Sequence, residues 1–559
     1  MNIFEYGIFY FFLLFSIIGY GYTFKVFFLK KEKINLGYCG LYGIFFLTIL
    51  SYLVNFFISI NLYLNSLILF VGLIFFLFFL LKEFIKNKKN IFIIFLIFII
   101  FFIFILTPKN HDDFPYYHFP YIHLLTTSSA NLGIGIFNHG FRTHSSIFYL
   151  SSLFFLPVAQ YQLVHIAPAF FIGFINFIFI KKIYYYTKIK TAKFNFILYL
   201  CLLNLAFINI FFGRISEHGT DFSAQILILL IVTEILILIN YTNIKESDKF
   251  SRVYILVALT ISLKAFYLIY FLFLAIIFYY QRFKIKFIYN FFKNKIIYLC
   301  LSLLTLVLIV NFINTGCIVY PISFTCNYNL LWTINFEEVR QMNQWYELWS
   351  KGGAAPNFRA SNPLEYIQNF NWVKNWINIY FFNHVSDFLL GLLFLILCSF
   401  FIFNNKSFIN NKNIYKNKIN NIKYFGVYLL IFFLFIEWFY KHPALRYGGY
   451  HLIALLVFIP FSFFLAKNMM LDKKMIIRIN FFILFIFVIF ISRNLHRIYD
   501  QSIKYSYKPF LYASFNKNFE SYYIYEQIEC YSKNIDCNVD SIKVKKISDR
   551  YLFYREFKN

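Results

Sequence analysis

The feature that most constrains this chain is the recurrence of long apolar runs, of which IFIIFLIFIIFFIFIL at 91–106 is one. A run of roughly 17–25 apolar residues is long enough to cross a bilayer as a helix. Such runs fill most of the 559 residues and leave only 14% of them charged, where soluble domains carry about 25%. A transmembrane barrel would instead show alternating segments of about 10 residues, and none is present. The pattern predicts an all-α polytopic membrane protein. Spans are expected at 3–24, 36–58, 62–81, 91–107, 161–180, 194–212, 222–241, 296–312, 388–404, 424–440, 448–466 and 477–492. The block 253–280, interrupted by Lys264, is too long for one span and too short for two. It reads as a re-entrant hairpin with Lys264 near its tip. The first run lacks a basic leader and a small-residue cleavage site, so it reads as a retained span.

Lysine sets the orientation. Seven loops, beginning with KVFFLKKEK and KEFIKNKKN, hold 30 of the 52 Lys and Arg residues. By the positive-inside rule these loops face the cytoplasm, and both termini face the periplasm or exterior of a bacterial plasma membrane. The net charge of +27 then reflects topology and contact with anionic lipid headgroups, not nucleic acid. The organisation expected is a three-span extension at 1–90, a core at 91–492 and an outward tail at 493–559. The core carries outward loops at 108–160 and 313–387. Cys317 and Cys326 lie in the second loop, and Cys530 and Cys537 lie in the tail. Each pair is a disulfide candidate in an oxidising compartment.

The polar residues that fit chemistry cluster on the expected outward side. All eleven histidines fall there or at the outward end of a span, and the lysine loops hold none. In NHDDFPYYHFPYIHLL, His111, Asp112 and Asp113 stand where the chain leaves the membrane. Two adjacent carboxylates there either cap a following helix or serve as a base or cation site. The segment 116–127 reads as an interfacial helix or a wall of a site. Arg142 and His144 precede a short apolar run that reads as re-entrant. Glu217, His218 and Asp221 lie in a short loop, beside Arg214. Lys264 needs an anionic partner, because a lone cation among apolar neighbours is costly. His442, Arg446 and Tyr447 open a late span, where an arginine can fork onto a phosphate. Trp332, Trp345 and Trp349 in the second outward loop are either sugar-stacking or interfacial residues. Glu234, deeper in its span, is expected to pair with another span.

The order HDDFPYYHFPYIHLL, then SSIFYLSSLFFLP, then HPALRYGGYHLIALLVFIP resembles the C-type (GT-C) superfamily of integral-membrane glycosyltransferases. That group contains protein O-mannosyltransferases, aminoarabinose transferases and oligosaccharyltransferases. The resemblance spans most of 91–492. It departs from the family in having three extra spans before the acidic pair, which the family carries directly after its first span, and a long loop between spans. It implies a GT-C-like fold with about 12 spans and a polyprenyl-phosphate sugar as donor. The acceptor would be a lipid, glycan or protein on the outer face. Asp112 or Asp113 would act as base or would bind a divalent cation, Mg or Mn. Arg446 and Lys264 would hold the donor phosphate. A lipid-linked glycan polymerase or ligase, or a flippase of such glycans, is the alternative.

Overall fold

The structure, a computed structural model, describes residues 2–106, 113–189, 192–212, 220–239, 247–355, 358–403, 422–468, 471–504, 542–548 and 550–555. Asparagine starts several of its helices, because a short side-chain carbonyl can accept from the orphan amides of a first turn. At α1 (Ile3–Phe28), Asn2 accepts from the Glu5 amide at 2.8 Å, and Glu5 accepts from the Asn2 amide at 2.8 Å. Asn35 caps α2 (Leu36–Phe57), and Asn61 caps α3 (Leu62–Ile105). These three helices pack backbone to backbone. A Cβ added at Gly43 would lie 1.9 Å from the Ile17 carbonyl oxygen, and one at Gly19 would lie 2.0 Å from that of Gly72. Small residues at such crossings are how helices approach closely in lipid.

The stretch 82–90, expected as a loop between two spans, is helical throughout. It has no Gly or Pro, and its Lys, Glu and Asn carry no strong helix-breaking signal. Yet α3 cannot be straight. Phe11 and Phe15 lie one turn apart on α1 and pack on Phe95 at 4.9 Å and Phe76 at 4.6 Å. A straight helix would hold those two partners about 28 Å apart. Both ends of α3 also reach the same region: Asn65 donates to the carbonyls of Ser152 and Phe155, and the Ile105 carbonyl meets His165. The element therefore folds back on itself near the lysines.

Residues 113–165 form a compact cap at that end. They comprise a π-turn (Phe114–His118), α4 (Phe119–Thr127), α5 (Ile134–Phe137) and α6 (Ser146–Ser152). The run that read as re-entrant is α6, which is buried against α2 and α4. Next come α7 (Ala167–Ile189), α8 (Ala192–Phe211), α9 (Thr220–Leu238) and α10 (Ser247–Leu263). The helix breaks at Lys264, whose backbone is extended, and 3-10 turns at Ala265–Phe271 pack back on α10. Then follow α11 (Leu272–Tyr280), α12 (Ile285–Lys293) and α13 (Lys295–Thr315).

The second large loop carries α14 (Phe336–Lys351), α15 (Pro363–Ile367) and α16 (Val373–Trp376). A π-helix (Ile377–Val385) then leads into α17 (Ser386–Phe403), followed by α18 (Ile422–Lys441), α19 (Gly449–Asn468) and α20 (Lys473–Lys504). Among the described residues, ten helices are long and apolar enough to cross a membrane, with the folded-back α3 counted once. The chain is an α-helical polytopic integral membrane protein.

One departure from all-α structure is a hairpin of β1 (Ile542–Ile547) and β2 (Arg550–Arg555). It docks on the cap. The Phe553 amide donates to Leu132 O at 2.9 Å, and the Leu132 amide donates to Tyr551 O at 2.9 Å. Cys317 and Cys326 form a disulfide. Cys530 and Cys537 lie outside the described residues.

At the opposite, lysine-rich end, Glu234 is paired across several helices. It accepts from Tyr38 of α2 at 2.5 Å, Lys182 of α7 at 2.5 Å and Arg252 of α10 at 2.8 Å. Arg252 also bonds Glu32, which in turn accepts from Tyr42 at 2.8 Å. Arg252 lies 3.9 Å over the Tyr38 ring. Glu32 and Glu234 are buried, Lys182 and Arg252 are nearly so, and each charge is compensated. Removing one member of such a pair typically costs about 3–5 kcal/mol. Arg252→Met is therefore expected to destabilise the detergent-purified protein by about that amount. Denaturant unfolding followed by far-UV circular dichroism would measure it, and an unchanged midpoint would refute the role of this knot.

Candidate functional site

Asp221 and Gln225 are one turn apart on α9, so they share a face. Both grip Arg446. Asp221 Oδ2 accepts from Arg446 Nε at 3.1 Å, and Gln225 Nε2 donates to the Arg446 carbonyl at 2.7 Å. The other carboxylate oxygen of Asp221 accepts from Lys264, the residue at which the α10 helix breaks. Lys264 thus has its anionic partner within the protein. Asp113 completes the cluster, its Oδ2 lying 3.6 Å from Arg446 Nη2. Asp113 stands at the start of the π-turn but makes no side-chain capping bond. Of the two readings open in the sequence, helix cap or site residue, the geometry therefore leaves the carboxylate directed to the cation.

Aromatic rings wall the cluster. The Arg446 guanidinium lies 5.6 Å from the Trp349 ring and 5.7 Å from that of Tyr447, and Lys264 lies 4.8 Å from Tyr447. Phe266 meets Tyr447 at 5.5 Å and His442 at 5.2 Å. Burial opposes the charge of Arg446, but Asp221 and the neighbouring Tyr447, Tyr117 and Asp113 outweigh it and raise its pKa above the usual value. Burial, with Asp113 adding to it, raises the Tyr117 phenol well above its usual value. Burial pushes His442 down to about 4, so its imidazole is neutral at pH 7 and adds no positive charge.

The segment before Arg446 is held group by group. Trp376 donates to Pro443 O at 3.1 Å, and Trp438 donates to Ala444 O at 2.9 Å. Ser350 accepts from the Ala444 amide at 3.1 Å, and Tyr380 accepts from the Leu445 amide at 2.9 Å. These partners come from α14, α16, the following π-helix and α18, so the second large loop and the late spans jointly set where Arg446 points. Gly448, with φ of +150°, then turns the chain into α19.

The structure thus brings together Asp113, Asp221, Lys264, Arg446 and Tyr447, with His442 beside them. It does not bring Arg142 or His144 there. Arg142 is fully buried inside the cap. It donates to Gly135 O at 2.7 Å and to Glu338 at 2.5 Å, and Glu338 also pairs with Arg555 of the tail hairpin at 2.9 Å. Arg142 therefore ties the first loop, the second loop and the tail together. His144 is buried among Tyr52, Tyr121 and Tyr149, and burial lowers its pKa to about 3. His118, His123 and His165 also lie in or beside the packed cap, so cap packing accounts for these three as it does for His144. His111, Asp112, Arg214, Glu217 and His218 lie outside the described residues.

Trp349, which the sequence leaves open as a sugar-stacking or an interfacial residue, sits against the guanidinium. Gln225 resembles an ordinary span residue in the sequence, while Tyr117 reads only as part of the 116–127 helix and His451 only as one of the eleven histidines. The Asp221–Gln225 spacing was the one available signal. Among the described residues no three His, Cys, Asp or Glu side chains converge as a metal site. Asp113 and Asp221 both face Arg446, and Asp112, the other half of the candidate cation pair, lies outside the described residues.

Residues 8–453 match the family described as "Domain of unknown function (DUF8201)". The chain belongs to that family. The match takes in all four charged residues of the cluster and stops before α20 and the tail hairpin. No curated protein and no solved structure matches the chain.

The two carboxylates should differ in stability cost. Asp221 is buried between two cations, so Asp221→Ala is expected to cost about 3 kcal/mol or more. Asp113 is about one-third exposed and its contact is long, so Asp113→Ala should cost no more than about 1 kcal/mol. Denaturant unfolding of both variants checks this, and equal losses would contradict the geometry.

Proposed function

We propose that this protein is a GT-C-like membrane glycosyltransferase that moves a sugar from a polyprenyl-phosphate donor to a lipid, glycan or protein acceptor. In this reading the cap faces the periplasm or exterior, where both chain termini also lie. The observation that carries the reading is the meeting of Asp113, Asp221, Lys264 and Arg446. They come from four separate segments and converge at one end of an apolar bundle, beside Trp349 and Tyr447. An isoprenoid chain can lie in lipid while its phosphate reaches these cations.

The charges suit that chemistry. The acceptor hydroxyl oxygen attacks the anomeric carbon, with inversion, and gives its proton to Asp113. The bond from that carbon to the phosphate oxygen breaks, and the electron pair leaves with the polyprenyl phosphate. Two cations and two carboxylates balance before reaction. As Asp113 is neutralised by the proton, the leaving phosphate gains one negative charge. Arg446, in contact with Asp113, is then free to stabilise it. A base must reach the acceptor proton, and fixed cations must face the charge that develops. Asp221, itself bonded to Lys264, holds Arg446 in place for that step.

Membranes containing the full chain and radiolabelled polyprenyl-phosphate sugars test this. Asp113→Asn and Arg446→Ala are each expected to lose about 100-fold or more of transfer at normal protein levels. Full transfer in Asp113→Asn would remove the base assignment. No turnover of any donor, with lipid-linked glycan accumulating on the cytoplasmic face of cells lacking the protein, would favour a flippase instead.

A further inference from the structure

Beneath Arg446 lies a buried hydrogen-bond chain that the proposed chemistry does not use directly. The Arg446 carbonyl can only accept, so the Gln225 amide nitrogen must face it, at 2.7 Å. That turns Gln225 Oε1 toward His451 Nδ1 at 3.3 Å. An amide oxygen can only accept, so His451 carries its proton on Nδ1. Its Nε2 is then an acceptor, and the Tyr270 hydroxyl donates to it at 2.7 Å. The bonds thus run in one direction, from Tyr270 through His451 and Gln225 to the backbone of Arg446. Gln225, His451 and Tyr270 are all essentially inaccessible to solvent. No water competes for these groups, so a break at one link leaves a buried polar atom unpaired.

The three residues come from α9, α19 and the 3-10 turns after Lys264, so the chain links the elements that carry Asp221, Arg446 and Lys264. Tyr270 also lies beside the turn at Gly448. A Cβ at Gly448 would lie 3.4 Å from the Tyr270 hydroxyl, and the φ of +150° there favours glycine.

We infer that Tyr270, His451 and Gln225 are positioning residues that aim Arg446 at an anionic lipid phosphate. None of them touches the substrate. Asp221 holds the guanidinium and Gln225 holds the main chain, so the direction of the arginine is set at both ends. The choice of ligand rests on the transferase reading, while the positioning role does not.

The test uses the detergent-purified full chain as wild type, Gln225→Met, Tyr270→Phe, Arg446→Ala and the Gln225→Met/Arg446→Ala double variant. Amide hydrogen exchange without ligand reads the backbone at 444–449, and titration with a polyprenyl phosphate reads the site. Gln225→Met is expected to speed exchange at 444–449 by about tenfold or more, with the rest of α19 unchanged, and to weaken binding by a similar factor. Tyr270→Phe, which removes one hydroxyl, should produce a smaller change in the same segment. Adding Gln225→Met to Arg446→Ala should weaken binding no further. Unaltered exchange at 444–449 in Gln225→Met would overturn the inference. So would an undiminished effect of Gln225→Met on the Arg446→Ala background. If the wild type binds no polyprenyl phosphate, the ligand class falls, and the exchange result alone decides the positioning role.

Discussion

The site end of this protein depends on one carboxylate with two cationic partners. Asp221 bonds Lys264 with one oxygen and Arg446 with the other, and it is almost completely buried. A lysine at the break of an apolar hairpin and an arginine at the mouth of a late span are each costly alone. Together with Asp221 they become tolerable, and three elements distant in sequence are tied at one point. Burial makes each interaction stronger than it would be in water, and it also makes a missing partner expensive.

The bundle has a second charge-balanced knot at its other end, formed by Glu32, Glu234, Arg252 and Lys182 with two tyrosines. The two knots differ in a way that bears on function. The lysine-end charges are enclosed and saturated, which suits a structural clamp. At the cap end, Arg446 and Asp113 keep about a third of their side chains exposed, and their mutual contact is long. A group that must receive a ligand or a proton has to retain such freedom, and the pinned backbone of 443–446 lets it do so without losing its direction.

Much of the architecture was legible because the bilayer demands long apolar runs, and these dominate the chain. The break at Lys264 and the pairing of Cys317 with Cys326 were legible for similarly local reasons. The stretch 82–90 was not. Its lysines mark a membrane surface, but the same residues are compatible with a helix, and charge alone does not distinguish a loop from a helical turn. The site was legible in part. Asp113, Asp221, Lys264 and Arg446 stood out as charges in apolar surroundings. Their mutual contacts depend on how α9, the hairpin and α19 pack, which no local pattern encodes. Arg142 and His144 drew attention by the same chemistry, yet tertiary packing buries them as ties within the cap. Gln225 did the reverse: inconspicuous in sequence, it acquires a role only where the backbone of Arg446 comes to rest, and it is there that His451, one histidine among eleven in the sequence, meets it.

In the proposed reaction this cluster receives a lipid-borne phosphate. The most direct measurement is an experimental structure of the full chain in a lipid nanodisc with a non-hydrolysable polyprenyl-phosphate sugar analogue. Phosphate density is expected within hydrogen-bonding distance of Arg446 and Lys264, with the sugar toward Asp113 and Trp349. Density for the analogue elsewhere, with Arg446 still engaged only by Asp221 and Asp113, would contradict the proposed reaction.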